Sequence, residues 1–153
     1  MNNLFATING SEDLAKVDDP RLVALIKFYQ AFNQGDLMLM QKVWLNTDEA
    51  SMDNPVGGIM RGWDTIKSVY ERIFFSDAKV YVEFYDYTIH STNDMFLVTG
   101  RERGFFEKGN MKVDLSIRTS RVFIRQNDEW KQLQHHGSID QPELLRKYQN
   151  AVV

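Results

Sequence analysis

From residue 80 to residue 138 the chain runs as four successive segments rich in β-branched and aromatic residues, 80–90, 95–107, 113–125 and 130–138, with no helical segment between them. Polar turns at 91–94, 108–110 and 126–128 separate them. Strands joined by connections this short pair with their neighbours, so the segment predicts an antiparallel meander and excludes a parallel sheet built from βαβ units.

The preceding stretch has the other period. Asp19-Pro20 is a helix start, with Asp free to cap open amides and Pro tolerated in the first turn. Leu22, Leu25, Ile26, Tyr29 and Phe32 follow at helical spacing, and Gly35 ends the run. Asp36 caps a second helix carrying Leu37, Met40, Val43 and Trp44. Residues 49–62, punctuated by Pro55, Gly57, Gly58 and Gly62, read as a short extended piece and a loop. A third helix starts near Asp64 with Ile66, Val69, Tyr70, Ile73 and Phe74 on one side, and residues 143–149 add a short terminal helix. The expected fold class is α+β: a cone-shaped, curved antiparallel sheet packed on three helices and enclosing a pocket. Residues 19–150 form the domain, and residues 1–18, with weak periodicity, form a mobile or loosely docked tail.

A chain of 153 residues matches one domain. Eighteen basic against twenty-one acidic residues give a net charge of -3, so no positive field gathers phosphates and nucleic acid is not an expected partner. Without cysteine there are no disulfides, thiolate zinc sites or cysteine nucleophiles. The first sixteen residues lack the basic and apolar runs of a secretory signal, and no stretch approaches the ~18 apolar residues of a membrane span. The expectation is a cytoplasmic protein that uses no cofactor, no metal and no membrane.

Alternation along the third strand puts Val113, Leu115, Ile117, Thr119, Arg121 and Phe123 on one face. Arg121 therefore interrupts an apolar face, and a guanidinium that cannot neutralise itself needs an anion beside it. Three partners are open: an internal Asp or Glu, a residue across a dimer interface, or an acidic ligand. Arg101 on the preceding strand could face the same cavity, and two converging guanidiniums would favour a carboxylate or phosphate. His135 and His136 are adjacent and point to opposite faces, so they do not share a metal. Strict alternation puts His136 with Trp130, Gln132, Gln134 and Ser138, as a pocket wall or a satisfied structural histidine. Asp53 and Asn54 stand before Pro55 at an expected cavity mouth, where a desolvated Asp53 could accept a proton. Trp44, Trp63, Tyr70 and Phe74 read as core that can also line an apolar pocket.

The stretch 101–138 resembles the association domain of calcium/calmodulin-dependent kinase II, a member of the nuclear transport factor two-like superfamily. The matching parts are Arg121-Val-Phe, the turn, Trp130, and His136-x-Ser138. That resemblance places the family's pocket arginines on Arg101 and Arg121, with His136 nearby. The front half is similar to the SnoaL-like and ketosteroid isomerase-like branch: Asn33-Gln-Gly-Asp36, Trp44, Asp53-Asn-Pro-Val-Gly57 and Arg61-Gly62. Steroid isomerases hold their general base immediately before that proline, where this chain has Asn54, which cannot accept a proton; Asp53 takes the role only through a local change of register. The resemblance implies a homodimer formed through the outer sheet face. Three functions follow as expectations. One is a small-molecule binding or assembly domain in which Arg101, Arg121, His136, Asn54, Trp44 and Tyr70 hold an acidic ligand. A second is an isomerase, cyclase or dehydratase on an apolar ring, with Asp53 and His136 as acid–base groups. The third is a bare scaffold whose arginines all pair with internal acids, for example Glu102 or Asp114 from nearby strands.

Overall fold

The computed structural model of the protein describes residues 6–151. Helix α1 (Pro20–Gln34) begins where Asp19 Oδ1 accepts from the Arg21 amide at 2.9 Å, and it ends on Gly35 in the left-handed region at φ 63°. Asp36 caps α2 (Leu37–Val43) through the Leu39 amide, 2.9 Å. Next come the short strands β1 (Ser51–Asp53) and β2 (Met60–Arg61), then α3 (Trp63–Phe74). The long strands are β3 (Lys79–Ser91), β4 (Met95–Lys108), β5 (Met111–Gln126) and β6 (Glu129–Ser138), and α4 (Pro142–Ala151) closes the order.

The six strands form one curved, unclosed sheet in the order β2-β1-β6-β5-β4-β3. The predicted meander is its body, and the predicted extended piece supplies β1, which runs parallel to β6. The concave face packs on the helices around Leu25, Tyr29, Phe84, Phe96, Phe106 and Phe123. All six inward positions expected on β5 are buried.

Two irregularities decide which side chains reach that face. On β3, Asp86 and Tyr87 together oppose Gly100, a bulge with Asp86 at φ 49°. The extra residue turns Tyr87 inward and leaves Asp86 outside. On β6, Val122 pairs with Gln134 and Phe123 with Gln132, so Leu133 is extra. The alternation therefore flips after Leu133, and Gln132 and His135, three apart, both point inward.

Residues 6–18 are more firmly placed than a loosely docked tail. Ile8 and Phe84 exchange backbone hydrogen bonds of 2.9 and 2.8 Å, so Ile8 lies along the outer edge of β3. Asn33 covers the same edge: its Oδ1 accepts from the Val82 amide and its Nδ2 donates to Val82 O and Asn9 O. Unpaired edge groups are thus satisfied from within the chain. Residues 1–5 of the expected tail lie outside the described residues.

Candidate functional site

Between the concave sheet and the helices lies a cavity of about 440 Å³. Its apolar wall comes from Phe28 and Phe32 of α1, Val69 and Ile73 of α3, Val82 of β3 and Ile117 of β5. Loop 54–57 and α4 complete it, the latter through Tyr148 and Gln149, and Gln149 Nε2 donates to Val56 O at 3.1 Å.

The polar part of the wall is a buried cluster. Arg121 is 1% exposed; its Nη2 donates to Glu102 Oε1 at 2.7 Å and its Nη1 to Gln132 Oε1 at 3.0 Å. Its guanidinium carbon sits 3.7 Å from the centre of the Phe28 ring. The Tyr29 hydroxyl donates to the same Glu102 oxygen at 2.6 Å. Burial works to lower the Arg121 pKa, and Tyr29 and Glu102 beside it more than offset this, so the guanidinium stays charged. Of the three partners open to Arg121 in the sequence, the structure supplies the internal acid.

His135 lines the cavity on the neighbouring strand, directly across from Arg121 in the β5–β6 register. Its Nε2 is 2.7 Å from Thr119 Oγ1, while its Nδ1 is buried and has no partner among the described residues. Burial, with the Arg121 guanidinium and His136 nearby, holds it well below the usual histidine value, so the ring is neutral at pH 7. The sign of the pH dependence follows. As pH falls below the unfolded value of about 6.5, the unfolded chain takes up a proton that the native ring refuses. Stability is then lost at up to about 1.4 kcal/mol per pH unit until the native ring itself titrates, and above pH ~6.5 His135 contributes no slope. Urea unfolding of wild type and His135→Gln between pH 7.5 and 5.5 should show this slope in wild type only; equal slopes would mean that the native ring takes up its proton where the unfolded one does.

Burial pushes Tyr148 up to about 12 and also raises Tyr70 and Tyr29, so all three phenols remain protonated at pH 7.

The remaining predicted residues divide by position. Asn54 and Tyr70 line the cavity; Asn54 Oδ1 accepts from the Val56 amide at 3.0 Å, which shapes the loop. Trp44 is buried beside Tyr70, its Nε1 donating to the Tyr70 hydroxyl at 3.2 Å, and stands behind the cavity wall. Asp53 and His136 do meet, Oδ2 to Nδ1 at 3.1 Å, but neither lines the cavity and the His136 side chain is 55% exposed. The Leu133 bulge is the reason: it hands the inward position to His135. Arg101 is also corrected. It lies on the outer face, 52% exposed, with Nε 3.2 Å from Asp86 Oδ2, and does not converge with Arg121. Sequence reasoning missed His135 as a cavity residue; of the two acids it offered as internal partners for the arginines, Glu102 is the one that Arg121 meets. Among the described residues no cluster of three metal-ligating side chains occurs, and no helix is long and apolar enough to cross a membrane.

The SnoaL-like domain model matches residues 23–142, most of the chain. The chain belongs to this family. Among solved structures it is similar to a protein from Streptomyces avermitilis named as a candidate dehydratase of the nuclear transport factor two-like family, with 23% identity and a TM-score of 0.70 over 78% of this chain and 93% of that one. A candidate calcium/calmodulin-dependent kinase II association domain from Thiobacillus denitrificans matches with 21% identity and a TM-score of 0.68, covering 78% and 94%. A Caulobacter vibrioides protein with a cystatin-like fold gives 15% and 0.68, covering 84% and 93%. At these identities the likeness is one of fold. No curated protein matches the chain.

Proposed function

We propose that this protein is a binding domain for a small, largely apolar molecule held in the cavity between the sheet and α1, α3 and α4. The observation that carries the reading is the cavity itself: about 440 Å³, walled by aliphatic and aromatic side chains, with one buried polar cluster at Glu102, Arg121 and His135. Arg121 alone does not call for an acidic ligand, because Glu102 already matches its charge at 2.7 Å. The isomerase, cyclase or dehydratase reading needs an acid–base pair against the substrate, and Asp53 and His136 stand off the cavity wall. Geometry therefore favours binding.

A thermal-shift screen with aromatic and alicyclic alcohols, ketones and carboxylates tests this. A ligand at 100 times its Kd stabilises by about 2.7 kcal/mol. The shift should vanish in Ile117→Trp, which fills the cavity; a screen in which no apolar compound moves the wild type overturns the reading.

We further propose that the protein dimerises through the outer sheet face. Met95 and Leu97 there are 42% and 36% exposed, and they pair across strands with Ile124 and Val122. Burying such a strip is favourable at roughly 25 cal/mol per Å². Sedimentation should give a dimer for wild type and a monomer for Leu97→Glu, and a monomeric wild type would refute it.

A further inference from the structure

We infer that the occupant of the cavity is an apolar carboxylic acid, its body among the aliphatic and aromatic walls and its carboxylate at the mouth, on Arg72. This rests on the proposed binding role of the cavity and names the chemical class of what it holds.

Exposure locates the mouth. Of the residues that line the cavity only Gly57 and Arg72 are exposed, so the opening lies between loop 54–57 and the last turn of α3. Residues 54–60 carry no acid, and α4 lines the cavity with Tyr148 and Gln149, both neutral. Among the described residues three charged side chains line the cavity: Glu102, Arg121 and Arg72. The first two match each other at 2.7 Å. Arg72 forms no ion pair with a described residue, and its neighbour Glu71 is turned to Lys67 at 3.7 Å. The wall therefore carries one uncompensated positive charge, and it stands at the opening. A basic residue in the last turn of a helix also suits the helix dipole, but that interaction uses the charge and leaves the N–H donors free.

The orientation follows from what each end of the cavity can hold. A carboxylate pushed inward would lose its water beside Glu102, while Arg121 already has Glu102 and Gln132 on its two terminal nitrogens. At the mouth the carboxylate keeps part of its hydration and meets a planar fork of donors that fits its two oxygens. Asn54 on the same wall gives its Oδ1 to the Val56 amide, which leaves its Nδ2 as a neutral donor. The apolar body then displaces water from Phe32, Ile73 and Val82.

The test uses the full chain and three probes with one tail: decanoate, decanol and decylamine. Calorimetric titration at low salt should give decanoate about fivefold tighter binding than decanol, the upper end for one exposed ion pair, with decylamine weakest. High salt should shrink that advantage, because the pair at the mouth is open to screening. In Arg72→Gln decanoate and decanol should bind alike, and Arg72→Glu should put decylamine ahead of decanoate. Arg72 is exposed, so neither variant opens a hole in the core. An advantage of decanoate that survives in Arg72→Gln overturns the assignment. If decanoate and decanol bind wild type equally and Ile117→Trp blocks both, the binding role stands and the anionic class falls. If no probe binds wild type, both fall together.

Discussion

Replacing Arg121 with Met is expected to destabilise the protein by about 3–5 kcal/mol, the range for breaking a buried ion pair from one side. The loss comes less from the missing attraction than from what stays behind. Glu102, 5% exposed, would keep its carboxylate in a cavity wall with only the Tyr29 hydroxyl at 2.6 Å to support it. Gln132 Oε1 would lose its donor as well. The double variant Arg121→Met, Glu102→Met removes both charges together, and apolar replacements of a buried pair are often close to neutral. It should therefore recover most of the loss. Chemical unfolding of the wild type, the two singles and the double gives the coupling directly. Additive losses would mean that the pair is not coupled and that each residue acts through packing alone.

That pair also explains where the sequence was readable and where it was not. Alternation along β5 places Arg121 inside from one strand alone, because no bulge interrupts its six inward positions. Finding its partner takes the register between two strands, which depends on the length of one turn. Read as the three residues 108–110, the β4–β5 turn puts Arg101 opposite Ile117 and on the same face as Arg121. The structure has a two-residue turn, with Lys108 paired to Met111, so Val98 lies opposite Arg121 and Glu102 opposite Ile117. One residue of slip exchanges the faces of a whole strand. Here it exchanges Arg101 for Glu102.

His135 was hidden by a different cause. A bulge leaves no period-2 signature, and nothing in Gln132-Leu133-Gln134 marks which residue is extra. Docking of residues 6–18 was obscured because Asn33 holds the Asn9 carbonyl from a helix distant in sequence. The order of elements needed only local signals: the caps at Asp19 and Asp36, the change of period, and the short turns.

Gly104→Ala should destabilise the protein by about 3 kcal/mol, the upper part of the usual range for overpacking. Its Cβ would lie 1.8 Å from Tyr81 O and 2.9 Å from Val82 Cα, both backbone atoms that no rotamer change can move. Val82 is opposite Gly104, and its own amide and carbonyl point away to Asn33. Such non-hydrogen-bonded pairs bring the two strands closest, and a glycine there lets β3 bend over the cavity that Val82 lines. An added methyl must push β3 off β4 at that point or flatten the bend. Gly109→Ala is the contrast: nothing lies within 4 Å of its Cβ, so only its φ of 59° opposes the change, at about 1–2 kcal/mol. Chemical unfolding should rank the two variants in that order. Hydrogen exchange should localise the Gly104 effect to the amides of Val82 and Phe84, which face Asn33 and Ile8 at the sheet edge. Equal losses in both variants, or exchange that quickens at the β4–β5 turn and not along β3, would mean that the close approach at Gly104 is not what holds the sheet over its cavity.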